Sequence, residues 1–195
     1  MNIYKRKFEN NNQDIELLLD LEEDENILKV KENGLSLEFA KNQTEEICKL
    51  AVQQDGNTLQ YVKNQTDEIC KLAVQQNGWA LQHVINQTDE ICKIAVKRNY
   101  DALRYVCLEN QTYEICKIAI QQHPSALFHV KNQTEEICKI FILQNPHALQ
   151  YVKNQNQTRE ICIFTLNLHR GKDLNFIFAY IRDDKLKKEI YDTYN

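Results

Sequence analysis

Residues 64–84 read Asn64-Gln65-Thr66-Asp67-Glu68-Ile69-Cys70-Lys71-Leu72-Ala73-Val74-Gln75-Gln76-Asn77-Gly78-Trp79-Ala80-Leu81-Gln82-His83-Val84. In the first half Asp67, Glu68, Lys71 and Gln75 share one arc of about 100°, and Ile69, Cys70, Leu72, Ala73 and Val74 cover roughly 200° opposite. A strand requires period two, and the run fails it. So wide an apolar arc predicts a helix sandwiched between neighbours. Thr66 stands at the N-cap, with acids in the first turn where the helix dipole favours them. Asp67 and Lys71, like Glu45 and Lys49, are spaced for i,i+4 pairing. Ala80–Val84 reads as a second, shorter helix.

The stretch is one copy of a repeat. Asn-Gln-Thr recurs at Asn42, Asn64, Asn86, Asn110, Asn132 and Asn156, at spacings of 22, 22, 24, 22 and 24 residues. Between the two helices one position holds Gly34, Gly56, Gly78, Tyr100, Pro124 and Pro146 in turn. Proline excludes positive φ, so this position is predicted in the first turn of the second helix, preceded by the caps Asp55, Asn77, Asn99, His123 and Asn145. Helices of about ten and seven residues are too short to stand alone in water and must stack to persist.

The fold expected is therefore all-α: a right-handed α-solenoid of about seven stacked two-helix units of ~22 residues, divergent at both ends. Units are placed near 20–41, 42–63, 64–85, 86–109, 110–131, 132–155 and 156–177, with a C-terminal capping helix over 178–195. Residues 1–14 read as a flexible leader, and 15–195 as a single repeat domain with no Gly-, Ser- or Pro-rich linker.

The head Glu68-Ile69-Cys70-Lys71-Leu72-Ala73-Val74 and the tail Ala80-Leu81-Gln82-His83-Val84 after Asn77-Gly78-Trp79 resemble an uncharacterised helical repeat. That repeat is abundant in giant DNA viruses of amoebae and in some protists and bacteria, and its units read E-I-V-L-x-A-V-x-x-x-G-x-A-L-x-Y-A. The resemblance runs from about Asp20 to Ile177. This chain departs from it in its column of cysteines and in its Asn-Gln-Thr joint. The family is a domain of unknown function and lends no catalytic residues; the resemblance implies a viral protein acting in the host cytoplasm.

Composition narrows the function classes. Of 195 residues 43% are hydrophobic and 27% charged, an ordinary globular balance, and the net charge of -4 does not attract nucleic acid or anionic lipid. No apolar run reaches the ~18–20 residues of a membrane span, and no secretory signal follows Met1, which together with the thiols points to a reducing cytoplasm. Cys48, Cys70, Cys92, Cys116, Cys138 and Cys162 occupy one helical position, with Cys107 apart. No C-x₂-C pair brings metal ligands together, so they read as small apolar fillers. The six Asn-Gln-Thr sequons read as helix joints: their Asn ends one helix and their Thr caps the next. His83, His123, His129, His147 and His169 have no nucleophile arranged beside them, and no phosphate loop, H-E-x-x-H or G-x-S-x-G is present. The expectation is no enzyme, no cofactor and no metal.

What stands out is a column on the second helix: Phe39, Tyr61, His83, Tyr105, His129 and Tyr151. Its plain reading is packing between successive second helices; its functional reading is a protein-binding face. Trp79 and Phe128 join that face, each replacing a polar residue of other units at a position predicted to be exposed. The function expected is a protein–protein interaction scaffold for an unnamed protein partner. The alternatives are a repeat-type single-stranded RNA binder, opposed by the absence of a basic stripe along Lys49, Lys71, Lys93, Lys117 and Lys139, and an architectural protein that self-associates through its divergent ends.

Overall fold

A computed structural model describes residues 25–168 and 175–194. The leader, the start of the first unit, residues 169–174 (with His169) and Asn195 lie outside the described residues. The described chain is helical, with no strand, and divides into two compact units, one up to Ile85 and one from Asn86.

The first unit holds α1 (25–32), α2 (Glu45–Gln54) and α3 (Asp67–Gln76); the second holds α4 (Asp89–Arg98), α5 (Tyr113–Gln122), α6 (Glu135–Gln144), α7 (Arg159–Leu168), α8 (Asn175–Tyr180) and α9 (Asp184–Tyr194). Each of α2 to α6 starts as the sequence predicts: a threonine hydroxyl (Thr44, Thr66, Thr88, Thr112, Thr134) accepts from the N–H of the isoleucine three residues on. That satisfies one of the four N–H groups a helix start leaves open. The predicted second caps hold too, with Asp55, Asn77, Asn99, His123 and Asn145 each accepting from the N–H two residues on.

The second helix differs from an α-helical expectation in its winding. Gly34–Phe39, Gly56–Tyr61, Gly78–His83, Tyr100–Tyr105, Pro124–His129 and Pro146–Tyr151 are six-residue 3₁₀ helices. Leu59 and Val62, Leu81 and Val84, Leu103 and Val106, Leu127 and Val130, Leu149 and Val152 are all buried. They are three residues apart, so one turn of a 3₁₀ helix sets both on the inner face, as an α-helix nearly would. The linking position sits at the start of this helix, as the prolines required. The two glycines Gly34 and Gly56 are not left-handed; a Cβ on Gly56 would lie 2.3 Å from the Ala73 carbonyl oxygen of the next repeat, so glycine there serves close approach.

Within each unit successive repeats lie side by side. In the first, α2 packs on α3, and Gly56–Tyr61 lies between the 3₁₀ helices before and after it; in the second, α4 packs on α5, α6 on α7, and the 3₁₀ helices again neighbour one another. This is the all-α repeat-solenoid packing the periodicity predicts. The core is the repeated set Ile47, Cys48, Ala51, Val52 and Leu59 with its counterparts. The two-residue insertions are absorbed by short 3₁₀ turns, Leu108–Asn110 and Asn154–Asn156. At the C-terminus the single capping helix expected over 178–195 is instead two helices, α8 and α9, interrupted at 181–183.

Candidate interaction face

The glutamine of each Asn-Gln-Thr holds one 3₁₀ helix to the next. Gln65 Nε2 donates to the carbonyl oxygens of Leu59 (3.3 Å) and His83 (2.8 Å), and its Oε1 accepts from the Ile85 N–H (3.0 Å). Gln43 does the same with Leu37 (3.2 Å), Tyr61 (2.9 Å) and the Lys63 N–H (2.9 Å). In the second unit Gln111 joins Leu103 (3.0 Å), His129 (3.0 Å) and Lys131 (2.8 Å), and Gln133 joins Leu127, Tyr151 and Lys153. A carboxamide is the side chain that can donate and accept at once with a short reach, as this joint demands. Sequence reasoning assigned roles to Asn and Thr and none to this Gln.

The clamp ends on the carbonyl of the aromatic column, and so fixes where each ring stands. In the first unit Phe39 is 80% exposed, while Tyr61 and His83 are half-buried. In the second unit Tyr105, His129 and Tyr151 are half-buried. His129 Nε2 lies 2.7 Å from Asp101 Oδ1 of the preceding repeat, and Arg104 sits over the Tyr105 ring at 5.9 Å. Partial burial lowers the pKa of His83. The column is thus partly packed and partly open: Tyr61, His83, Tyr105, His129 and Tyr151 are half-buried, and Phe39 is exposed. Phe128 is 56% exposed and meets His129 edge-on at 5.8 Å, as predicted for a face residue. Trp79 is half-buried rather than exposed.

One member of the column was missed. Gln157 Nε2 donates to the Tyr180 carbonyl (3.1 Å) and Gln157 Oε1 accepts from Arg182 N–H (3.1 Å), so Tyr180-Ile181-Arg182 stands where Tyr151-Val152-Lys153 stands one repeat earlier. Tyr180 meets His147, ring centroids 5.9 Å apart. The signal was present in the aromatic–aliphatic–basic triplet, hidden by a spacing of 29 residues from Tyr151 instead of 22 to 24.

The basic residue of that triplet closes the joint. Lys63 Nζ donates to the carbonyls of Ala40 and Lys41 (3.3 and 3.1 Å), Lys131 to Val106 (2.7 Å), Lys153 to Val130 (2.8 Å), and Arg182 Nη1 to Val152 (3.1 Å). On the first helices Lys49 bridges Glu45 (2.9 Å) and Glu68 (2.8 Å), Lys93 pairs with Asp89 (2.6 Å) and Lys139 with Glu135. These cations are committed to internal partners.

The six columnar cysteines are buried. Burial pushes the thiols of Cys70, Cys116, Cys138 and Cys162 up to about 11 and that of Cys92 to about 12, where nearby Cys107 and Asp89 add to it. A thiol so raised is protonated at neutral pH and is a poor nucleophile. Cys48, Cys70 and Cys92 rest against the clamp glutamine oxygens at 3.7–4.0 Å. Among the described residues no group of three or more His, Cys, Asp or Glu is arranged to hold a metal, and no helix is long and apolar enough to cross a membrane.

Two overlapping stretches, residues 44–87 and 66–111, match the model of a family described as a domain of unknown function (DUF4116), each beginning at an N-cap threonine and covering two repeats. No curated protein and no solved structure matches the chain.

Proposed function

We propose that this chain is a non-enzymatic protein-interaction scaffold, and that its partner docks on the aromatic column, through Tyr61 and His83 in the first unit or through Tyr105, Phe128, His129, Tyr151 and Tyr180 in the second. The observation that carries the reading is the aromatic column itself: planar side chains recur once per repeat at a backbone point held by the glutamine clamp, and they are half-buried. Rigid, half-exposed aromatics bind at small entropic cost, and Tyr is enriched at interface centres. Phe39 and Phe128 expose apolar area that a partner would cover. The buried, proton-holding thiols support a role other than covalent catalysis.

The commitment of the lysines to internal carbonyls and carboxylates, with a net charge of -4, favours protein over RNA as the partner. In this reading the partner is a host protein met in the cytoplasm of an infected cell, which follows from the resemblance of the repeat to those of amoebal giant viruses.

The test is affinity capture from host lysate, comparing the natural chain with a variant carrying alanine at Tyr61, Tyr105 and Tyr151 whose circular dichroism is unchanged. The expected result is a protein bound by the first and lost from the second. Tight, salt-sensitive binding of single-stranded RNA would reject the reading in favour of a nucleic-acid binder. A concentration-dependent oligomer in sedimentation velocity, lost in the same variant, would favour self-association.

A further inference from the structure

In five of the ten-residue helices the isoleucine after the acidic first turn is sealed in: Ile47, Ile69, Ile91, Ile115 and Ile161 are at most 1% exposed. In α6 its counterpart Ile137 is only half-buried. The cause lies one turn further on. The column that holds Ala51, Ala73, Ala95 and Ala119 in α2 to α5 holds Phe141 in α6, fully buried. A phenyl ring in a slot sized for a methyl group cannot be seated without moving its neighbours. Accordingly α5 and α6 are in sparse backbone contact, whereas α4 with α5 and α6 with α7 are close.

The gap is a cleft of about 330 Å³, open to solvent and lined by Tyr113, Thr134, Glu136, Ile137 and Ile140. One further departure from the repeat lines it, and a second follows in α6. Tyr113 replaces the carboxylate found at Glu45, Asp67, Asp89 and Glu135, and its ring lies nearly parallel to Phe141, centroids 6.5 Å apart. Leu143 replaces Gln53, Gln75, Lys97 and Gln121; it is 57% exposed and follows Ile140 by three residues, on the same helix stripe. The exposed apolar surface here joins the repeat residues Ile137 and Ile140 to Tyr113, which departs from the repeat, and such exposure costs solubility.

We propose that the α5–α6 cleft is a docking slot for a short cationic segment of another protein, whose apolar side chain enters over Tyr113, Ile137 and Ile140 while a Lys or Arg beside it meets Glu136. The occupant follows from volume and charge. The cleft admits one large aliphatic or aromatic side chain, and its lining carries one carboxylate, Glu136, and no basic side chain. Lys139 is paired with Glu135 and Lys117 lies over the Tyr113 ring at 5.9 Å, so Glu136 is in no ion pair among the described residues. The slot is separate from the aromatic column and does not rest on its reading.

Panning a phage-displayed library of random dodecapeptides on the full chain tests this. The expected enrichment is for peptides with an apolar residue flanked by Lys or Arg, whose synthetic forms bind the natural chain and lose about tenfold or more in affinity with Tyr113→Glu or Glu136→Lys. The first substitution installs the residue type of the other units and the second is on the surface, so both preserve the fold. Binding should persist with alanine at Tyr61, Tyr105 and Tyr151. No enrichment, acidic peptides, equal binding by both cleft variants, loss of binding in the column variant, or a dimer abolished by Glu136→Lys would each overturn the proposal.

Discussion

Gln65 shows how much one side chain can hold. Its carboxamide meets the carbonyl oxygen of His83 and the N–H of Ile85, and shares the Leu59 carbonyl with the Val62 N–H. Gln65→Leu leaves them to compete for water at a half-buried joint, where each unmet group costs on the order of 1–3 kcal/mol. A loss of about 3 kcal/mol is expected in urea denaturation, with Gln65→Glu intermediate because the acceptor survives. A change below about 1 kcal/mol would show that the joint closes without the clamp. Thr66 and Asn77 were legible as caps, since a cap acts on its own helix within three residues. Gln65 was not, because its partners at 83 and 85 are 18 and 20 positions away and become neighbours only once repeats stack.

At the scale of an element, the 3₁₀ helix carries the seam between repeats. Leu81 is fully buried and Gln82, next to it, is exposed. Leu81→Asp puts an unpaired carboxylate into the stack and should unfold the array, or remove the helical circular dichroism of several repeats, as an uncompensated buried charge costs several kcal/mol. Gln82→Ala should shift the midpoint of thermal unfolding by no more than about 1–2 °C. Equal damage from both would refute the assignment of faces. The existence and span of these helices could be read from Gly, Pro and the caps. Their winding was not legible, because apolar pairs spaced by three, such as Leu103 and Val106, suit an α-helix as well. The splaying of α5 from α6 was not legible either: Phe141 is as apolar as the alanines it replaces, and only the volume available between packed helices makes it a wedge.

For the molecule as a whole, the bonds that join neighbouring repeats bridge short stretches of chain, 18 positions from Gln65 to His83 and 26 from Gln122 to Val96. Such local topology lowers the loop-closure cost of folding. The main refolding phase in stopped-flow circular dichroism should finish within milliseconds to tens of milliseconds; a main phase of seconds would mean that distant parts of the chain must meet first. The all-α class, the period, both caps of each repeat, the buried cysteine column and the aromatic column could all be had from the chain itself, because each depends on side chains within one turn or on a pattern repeated six times. Besides the 3₁₀ winding, three things waited for the folded chain: the glutamine clamp, the return of the column at Tyr180 after an irregular spacing, and the cleft over Ile137. All three are relations between repeats, and a hydrogen bond or a void between two surfaces has no residue pattern of its own until packing brings those surfaces to within a few ångströms.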